Sequence, residues 1–254
     1  MNQTQIDAAA DYFIKRRKDS NINHRLAADL RPVTTEDALA IQKATMQLIG
    51  DNVGGWKTVL PVGDKLNVAP IFARTIHTQS PCPIRLERGI CRIEPEIGFS
   101  FKHDLPPRDQ AYTDDEIKNA LASSHMALEL IEKRYNGIEE VTYLENLADC
   151  LFNQGMYVGP EIPLDKAMVA AEIGFGLTQG ETSKPFVGSH PNKGPILPVL
   201  WLANFLREQG IGIKAGQVVI TGSFAGVHEV QPDIEFSLEY GDLGQMRVCL
   251  TPSV

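Results

Sequence analysis

The sequence is poor in cysteine and lacks long runs of apolar residues. Its four cysteines, Cys82, Cys91, Cys150 and Cys249, have no Cys-x-x-Cys spacing. The absence of this spacing argues against a zinc site, and we expect reduced, mostly buried thiols in a cytoplasmic protein. No apolar stretch reaches 18 residues, and the first residues lack the basic-then-apolar order of a secretion signal. We therefore expect no membrane partner.

Positive charge is also scarce, since the formal net charge of the 254 residues is −8. The densest basic stretch, "KRRK" at 15–18, falls on a predicted helix, so no nucleic-acid partner is expected. The dinucleotide pattern Gly-x-Gly-x-x-Gly, the nucleophile elbow Gly-x-Ser-x-Gly and the Walker spacing are all missing. Three common classes of site therefore have no sequence signal here.

What remains is an ordinary globular composition, with 43% hydrophobic and 22% charged residues. The pattern predicts a single domain over 1–254 of class α+β, with a helical segment over 1–50 and a β-rich core over 51–254. Helices are predicted over 4–18 and 36–49, the second with Thr34 or Thr35 as its N-cap. From residue 55 onward, short apolar runs punctuated by Gly and Pro predict strands.

The second half of the chain mixes both patterns. Thr113 and Glu116 form a capping-box pair that predicts a helix over 114–124. The stretch "MALELIEKRY" suits either a continued helix or a strand, and the strand is favoured. A further helix is predicted over 195–210, ending at Gly210. Strands are predicted in "AMVAAEIGFGL", "QVVITGSF", "IEFSLEY" and "QMRVCL".

The stretch "RIEPEIGFSF", residues 92–101, alternates apolar and polar residues as a half-buried strand does. Glu94 and Glu96 then project from one face, where they repel each other unless water or a cation separates them. One interpretation is a solvent-facing edge strand, which Pro95 would suit. The other is a cation site, completed by Glu129 from the apolar stretch "MALELIEK". Three converging carboxylates would suit Mg²⁺ or Mn²⁺.

Other candidates have equally open interpretations. Lys57, within "GGWKTVLP", is either a surface lysine or a buried cation that binds substrate or transfers a proton. The strand end at Thr221, Gly222 and Ser223 is either a plain turn or an anion-binding turn. His125 and His190 each follow a serine, but adjacency in sequence makes no catalytic pair, so structural roles are favoured.

These motifs together resemble the 2-keto-4-pentenoate hydratase and 4-oxalocrotonate decarboxylase family of the fumarylacetoacetate hydrolase superfamily. The resemblance rests on "IEPEIGFSF", "ALELIEKRY" and "GQVVITGSFAG", with "TTEDALAIQ", "GWKTVLP", "APIFA" and "PVLWLANFLREQGIGIKAG" in the same order. The hydrolases of the superfamily usually carry Asp in the third acidic position. Glu129 therefore favours the hydratase and decarboxylase branch, and the resemblance implies a mixed-sheet roll or barrel as the core.

The resemblance also implies roles for individual residues. Glu94, Glu96 and Glu129 would ligate Mg²⁺ or Mn²⁺, Lys57 would be the active-site lysine, and Thr221, Gly222 and Ser223 would line the site of the substrate carboxylate. Two departures stand out. His77 occupies the place of a usual Asp and becomes a second catalytic candidate. The stretch "LADCLFNQGMYVGP" differs from the usual Asp-Asn-x-Ser pattern, although Asp149 and Gly155 still match.

The resulting expectation is a metal-dependent hydratase of small 2-hydroxy-2,4-dienoates or 2-oxo-4-enoates in aromatic meta-cleavage catabolism. A 2-oxo-acid decarboxylase, a C–C hydrolase and a catalytically silent binding homologue are the alternatives. The expected partners are the small 2-oxo acid and further copies of the chain in a homo-oligomer. The three glutamates serve hydratase and decarboxylase equally, so the ligand set alone does not separate these reactions.

Overall fold

The computed structural model describes residues 1–19, 22, 24–135 and 140–253. The α-helices are α1 (Gln3–Lys18), α2 (Thr35–Leu48), α3 (Asp114–Ala120), α4 (Tyr143–Ala148), α5 (Leu164–Val169) and α6 (Ile196–Glu208). The strands are β1 (Val53–Val62), β2 (Lys65–Phe72), β3 (Ile76–His77), β4 (Cys82–Ile84), β5 (Cys91–Phe101), β6 (Leu121–Ile131), β7 (Asn153–Ile162), β8 (Glu172–Gln179), β9 (Thr182–Ser189), β10 (Val218–Ile220), β11 (His228–Val230), β12 (Phe236–Tyr240), β13 (Gln245–Val248) and β14 (Leu250–Pro252).

The two N-terminal helices confirm the predicted helical segment. Each begins with a capping box, Asn2 with Gln5 for α1 and Thr34 with Asp37 for α2, which satisfies backbone donors of the first turn. Their apolar faces bury Phe13 and other residues in a small core of their own. No helix within the described ranges is long and apolar enough to cross a membrane.

The main sheet has the strand order β2-β1-β10-β5-β6-β7-β3, with β11 pairing separately with β5. It curls into a half-barrel, which confirms the predicted α+β class with a rolled sheet. Small residues allow the curl: a Cβ on Gly55 of β1 would lie 2.5 Å from the Met156 side chain of β7, on the far side of the sheet. The concave face is lined with the apolar residues Ile71, Ala127, Met156, Val158, Val218 and Ile220.

The convex face of the same sheet forms the main core. Ile93, Ile97, Phe99 and Phe101 of β5 are buried there, as the alternation in "RIEPEIGFSF" predicts. They pack in one cluster with residues of a second sheet of order β13-β12-β8-β9. β5 therefore has an apolar side facing this core and an acidic side facing the concave interior.

Between residues 114 and 171, the structure differs from the predicted boundaries of several helices and strands. The helix predicted over 114–124 ends at Ala120, because Leu121 begins strand β6, whose Ser123 and Ser124 pair with β5. The strand favoured for "MALELIEKRY" is confirmed as far as Ile131. Helix α5 covers the start of "AMVAAEIGFGL", which was predicted as strand throughout. Helix α4 has a clear capping box, Thr142 with Glu145, and was not predicted.

Candidate metal centre

Glu94, Glu96 and Glu129, hereafter the acidic cluster, converge on the concave face. β5 and β6 are antiparallel, and Glu94 pairs directly with Glu129 in the register. Paired residues project to the same side of a sheet, and Glu96 follows two residues along that side. One carboxylate oxygen from each glutamate lies within 4.8 Å of the others. The interpretation of Glu94 and Glu96 as a solvent-facing edge is therefore wrong, since β5 is an interior strand.

The acidic cluster is electrostatically costly. Burial, followed by repulsion from Glu129, raises the pKa of Glu94 to about 7, against the opposing attraction of Lys57. Burial and the neighbouring charges of Glu129 and Glu94 raise the pKa of Glu96 well above its usual value. Carboxylates that resist ionisation in this way are characteristic of functional sites, where a bound cation would relieve their repulsion.

Lys57 provides one positive charge beside the three carboxylates. Its Nζ donates to Glu129 Oε1 at 2.6 Å and to the Leu151 carbonyl at 3.2 Å. Strands β1 and β6 would be about 14 Å apart in a flat sheet, three strand spacings, so this contact depends on the curl. Burial lowers the pKa of Lys57, but the charge and hydrogen bond of Glu129, together with the charges of Glu94 and Glu96, outweigh it, and the net pKa is raised. The buried, charged alternative for Lys57 is the one that the geometry supports.

The donor set fits a hard divalent cation. Glu129 Oε1 accepts from Lys57 and from Asn153 Nδ2, the latter at 2.8 Å, whereas its buried Oε2 has no hydrogen-bond partner among the described residues. A buried oxygen without a partner is expensive unless a ligand completes it. Carboxylate oxygens are the ligands that Mg²⁺ and Mn²⁺ prefer. One lysine also leaves the negative charge of three carboxylates uncompensated.

Gly222, just after the end of β10, contacts the acidic cluster. Its backbone N–H donates to Glu96 Oε2 at 2.6 Å. A Cβ at this position would lie 2.3 Å from Val59 Cγ1, and its φ is +105°, so the position requires glycine. The hydroxyls beside it have other partners: Thr221 donates to the Ile97 carbonyl at 3.2 Å and Ser223 to the Gly226 carbonyl at 3.2 Å. Their predicted contact with a substrate carboxylate stays a prediction.

His77 lies away from the acidic cluster. Its neighbour Ile76 packs with the concave apolar residues. Successive strand residues face opposite sides, so His77 points to the outer side of the sheet. There it lines a cavity of about 360 Å³ with Arg17 and Arg85, and none of the three glutamates lines that cavity. The catalytic role predicted for His77 stays a prediction and gains no support from this position.

Two groups at the site have no signal in the sequence. Asn153 donates to a metal-ligand candidate, and the Leu151 carbonyl accepts from Lys57. Both follow Asp149 in a stretch where Cys150, Leu151 and Phe152 all have positive φ, between 51° and 65°. Left-handed conformations are rare in such residues, so composition gives no warning of them. Only the unusual "DCLFN" sequence, a departure from the Asp-Asn-x-Ser pattern, marks the place.

Comparison with known proteins agrees with the motifs. No family model matches the chain. The chain is 26% identical over 245 residues to a 2-oxo-hept-4-ene-1,7-dioate hydratase of Escherichia coli, covering 87% of this chain and 88% of the relative. It is 27% identical over 235 residues to a 2-hydroxyhexa-2,4-dienoate hydratase of Comamonas testosteroni, covering 86% and 87%. The chain thus resembles the hydratases of this family along most of its length.

Solved structures share the fold. A 4-oxalocrotonate decarboxylase from Pseudomonas putida G7, complexed with magnesium and adipate, superposes with a TM-score of 0.78 at 19% identity and 98% coverage of both chains. A fumarylacetoacetate hydrolase family protein from Yersinia pestis CO92 gives a TM-score of 0.56 at 15% identity, covering 79% of this chain and 94% of that one. The fold is therefore that of the fumarylacetoacetate hydrolase family.

Proposed function

We propose that the chain is a metal-dependent hydratase of small 2-hydroxy-2,4-dienoate or 2-oxo-4-enoate acids. The main observation behind this proposal is that Glu94, Glu96 and Glu129 meet inside the curled sheet. One carboxylate oxygen of each lies within 4.8 Å of the others, and Lys57 lies beside them. The similarity to hydratases of 2-oxo and 2-hydroxydienoic acids supports this substrate class. In the reaction, the dienol is ketonised and water adds at the distal alkene carbon, giving a 4-hydroxy-2-oxo acid.

The acidic cluster would hold Mg²⁺ or Mn²⁺. When bound, the cation supplies a Lewis acid for the negative charge that develops on the oxygens of a 2-oxo acid. Lys57 would bind a substrate oxygen or move a proton, a role that the position of its ammonium at the edge of the same cluster supports. The Gly222 N–H fixes Glu96, so the ligand carboxylate is oriented before a substrate arrives.

A decarboxylase is the second candidate. Decarboxylation of a 2-oxo diacid needs the same electron sink, which here accepts the electrons of the breaking C–C bond. The similarity of fold to a 4-oxalocrotonate decarboxylase over 98% of the chain supports this reaction as the alternative. The products separate the two activities, because hydration adds one water to the substrate and decarboxylation releases CO₂.

The decisive experiment follows the ultraviolet absorbance of 2-hydroxypenta-2,4-dienoate mixed with the purified protein. Parallel reactions contain Mg²⁺, Mn²⁺ or a chelator, and the product is identified by mass. We expect a metal-dependent loss of the dienol with a mass gain of one water. Glu161→Gln is the matched control for ligand variants, since Glu161 is an exposed strand glutamate.

Two other results would each reject the hydratase. Metal-dependent CO₂ release from 4-oxalocrotonate without hydration would establish the decarboxylase. Metal binding by calorimetry with no turnover of either compound would indicate a silent binding homologue. Turnover that is unaffected by the chelator and by Glu94→Gln would show that the acidic cluster is not the active centre.

A further inference from the structure

Asp149 is a buried carboxylate that lies between the N-terminal helix and the candidate metal centre. It accepts hydrogen bonds from three arginines. Arg134 Nε donates to its Oδ2 at 2.7 Å, Arg17 Nη2 donates to its Oδ1 at 3.2 Å, and Arg16 also donates to Oδ2. We call Arg16, Arg17 and Arg134 the arginine clamp. Two of its members belong to α1, far from Asp149 in sequence.

The arginine clamp also holds the backbone on both sides of an unusual turn. Arg134 Nη2 and Arg17 Nη2 donate to the Asp149 carbonyl, at 2.7 and 3.1 Å. Arg134 Nη1 and Arg17 Nη1 donate to the Asn153 carbonyl, at 3.0 and 3.4 Å. Between these two anchors lies the left-handed turn, Cys150 to Phe152, whose three residues all have positive φ.

Each non-glycine residue in the left-handed region costs free energy, and the conformation persists only where its surroundings fix it. Backbone hydrogen bonds hold part of the turn: Leu151 N–H donates to the Asn146 carbonyl at 2.7 Å, and Asn153 N–H donates to the Cys150 carbonyl at 3.0 Å. The side chains that anchor its two ends are Arg17 and Arg134 of the arginine clamp, which Asp149 holds in place. Burial raises the pKa of Asp149, but the charges of Arg134, Arg16 and Arg17 outweigh it and keep the pKa below its usual value. Asp149 is therefore a charged anchor.

The left-handed turn faces the active-site lysine. Its Leu151 carbonyl accepts from Lys57 Nζ at 3.2 Å, and Asn153, the first residue after the turn, donates to Glu129 Oε1 at 2.8 Å. Lys57 has no other backbone acceptor in the hydrogen bonds of the described residues, so this carbonyl and Glu129 together fix its ammonium. A shift of the turn would break the hydrogen bond from Lys57 to the Leu151 carbonyl and leave the ammonium held by Glu129 alone.

We propose that Asp149, held by the arginine clamp, is a positioning residue for Lys57, acting through the left-handed turn. The role of Lys57 in turnover rests on the proposed function, whereas the placement of its ammonium does not. The N-terminal helix thus contributes to the active site without touching it. This assignment also gives the "DCLFN" departure a physical meaning, since the turn presents a backbone carbonyl rather than a side chain.

The first test measures the position of Lys57 without any substrate. Acetic anhydride footprinting with mass spectrometry compares the labelling rate of Lys57 with that of Lys184, an exposed lysine in β9. In Asp149→Asn we expect labelling of Lys57 to rise about tenfold relative to Lys184, as local opening exposes the amine. The matched control is Asp242→Asn, which removes an exposed carboxylate and leaves the turn untouched.

A second variant covers the case in which Asp149→Asn does not fold. Arg17→Met leaves Arg16 and Arg134 on Asp149 and removes one half-buried positive charge. We expect the same rise in Lys57 labelling, with Arg247→Met, an exposed position, as control. Circular dichroism confirms that each labelled protein is folded. Unchanged labelling of Lys57 in both folded variants would overturn the proposal.

The second test is a double-mutant cycle on turnover. If Asp149 acts through Lys57, Asp149→Asn lowers kcat about 30-fold in the wild type but less than about threefold in a Lys57→Met background. Additive losses, with the apparent kcat falling in proportion to the folded fraction and KM unchanged, would show a merely structural role and contradict the proposal. If the wild type has no hydratase activity, the proposed function fails while the footprinting still decides the position of Lys57.

Discussion

Two buried charge clusters lie on opposite sides of the left-handed turn, and they differ in how they are neutralised. The acidic cluster has three carboxylates and one lysine, and burial with mutual repulsion raises the pKa of Glu94 and Glu96. The cluster around Asp149 has the opposite excess, and its arginines lower the pKa of that carboxylate. Burial is similar in both places, so the sign of the neighbouring charges decides the direction of the shift.

The excess charge is also accommodated differently. The guanidinium of Arg16 lies 3.8 Å from the centre of the Tyr135 ring, which offers a buried cation a favourable surface. The spare oxygen of Glu129 has no comparable partner among the described residues. Arg16 Nε, Arg16 Nη1 and Arg17 Nε also have no hydrogen-bond partner among the described residues, so both clusters keep unpaired polar atoms. The clusters differ in the sign of the excess charge, and only the negative excess of the acidic cluster suits a bound cation.

The largest effect should come from removing a ligand of the acidic cluster. In Glu129→Gln we expect Mg²⁺-dependent turnover to fall at least about 1000-fold, because the loss of Lewis-acid stabilisation is worth several kcal/mol. Calorimetric titration with Mg²⁺ and steady-state kinetics measure it, with Glu161→Gln as control. Wild-type kcat in Glu129→Gln at saturating Mg²⁺ would contradict the ligand assignment.

The second effect concerns stability on the other side of the turn. Asp149→Asn leaves the buried Arg16 and the half-buried Arg17 without their anion and leaves Arg134 with Glu132 alone among the described residues, so we expect a loss of about 3 kcal/mol in the free energy of unfolding. Urea denaturation followed by circular dichroism measures this, with Asp242→Asn as the surface control. A loss no larger than that of the control would show that the arginine clamp does not depend on its carboxylate.

The third effect is on the rate of turnover when Lys57 is replaced and the three glutamates are left intact. Lys57→Met should lower kcat about 100-fold, the usual size for a lost proton-transfer or orienting group, while Mg²⁺ still binds. Lys184→Met is the matched exposed control. An unchanged kcat/KM in Lys57→Met would show that Lys57 has only a structural role. The acidic cluster would then be the only part of the proposed site that acts in turnover.

The smallest effect is a pH dependence of stability in the metal-free protein. The folded pKa of Glu94, about 7, lies above its usual value of 4.5, so the unfolded chain loses this proton first as pH rises. Its contribution is therefore present below about pH 4.5 and lost as pH rises through about 7, a change on the order of 1 kcal/mol because the cluster titrates as a unit. Urea denaturation with chelator at several pH values should show this slope in the wild type.

Glu94→Gln provides the comparison for that slope. The unfolding free energy of the wild type should fall relative to that of Glu94→Gln as pH rises from about 5 to about 7, then level off, because Gln resembles the protonated glutamate and does not titrate. Saturating Mg²⁺ should reverse the slope, since the cation competes with protons for the carboxylates. Parallel pH profiles for the two proteins would rule out a raised pKa for Glu94.

The sequence predicts the acidic cluster better than it predicts the Asp149 cluster, for a physical reason. Strand alternation is local, so "RIEPEIGFSF" assigns Glu94 and Glu96 to one face without knowledge of the fold. The apolar neighbours of Glu129 likewise predict a buried carboxylate. The resemblance to a family then joins the two segments. Arg16 and Asp149 are joined only by the packing of α1 against the core, which no local pattern encodes.

Failures of prediction have the same origin. Ser123 and Ser124 continue a capped helix in sequence, but hydrogen bonding to β5 draws them into strand β6. Helix α4 is six residues long, so its apolar periodicity is too short to indicate a helix after the capping box of Thr142 and Glu145. In each case a tertiary contact or a short element decided the outcome.

The direct pairing of Glu94 with Glu129 has a consequence for how this site tolerates insertion and deletion. Side chains alternate along a strand, so one residue gained or lost in the paired stretch that carries Glu94, Glu96 and Glu129 would turn one of these glutamates toward the apolar core and break up the acidic cluster. The connection between them, which includes α3, is under no such constraint. Relatives can therefore differ widely in the number of residues between the two acidic segments, while the ladder that aligns them admits no change in length.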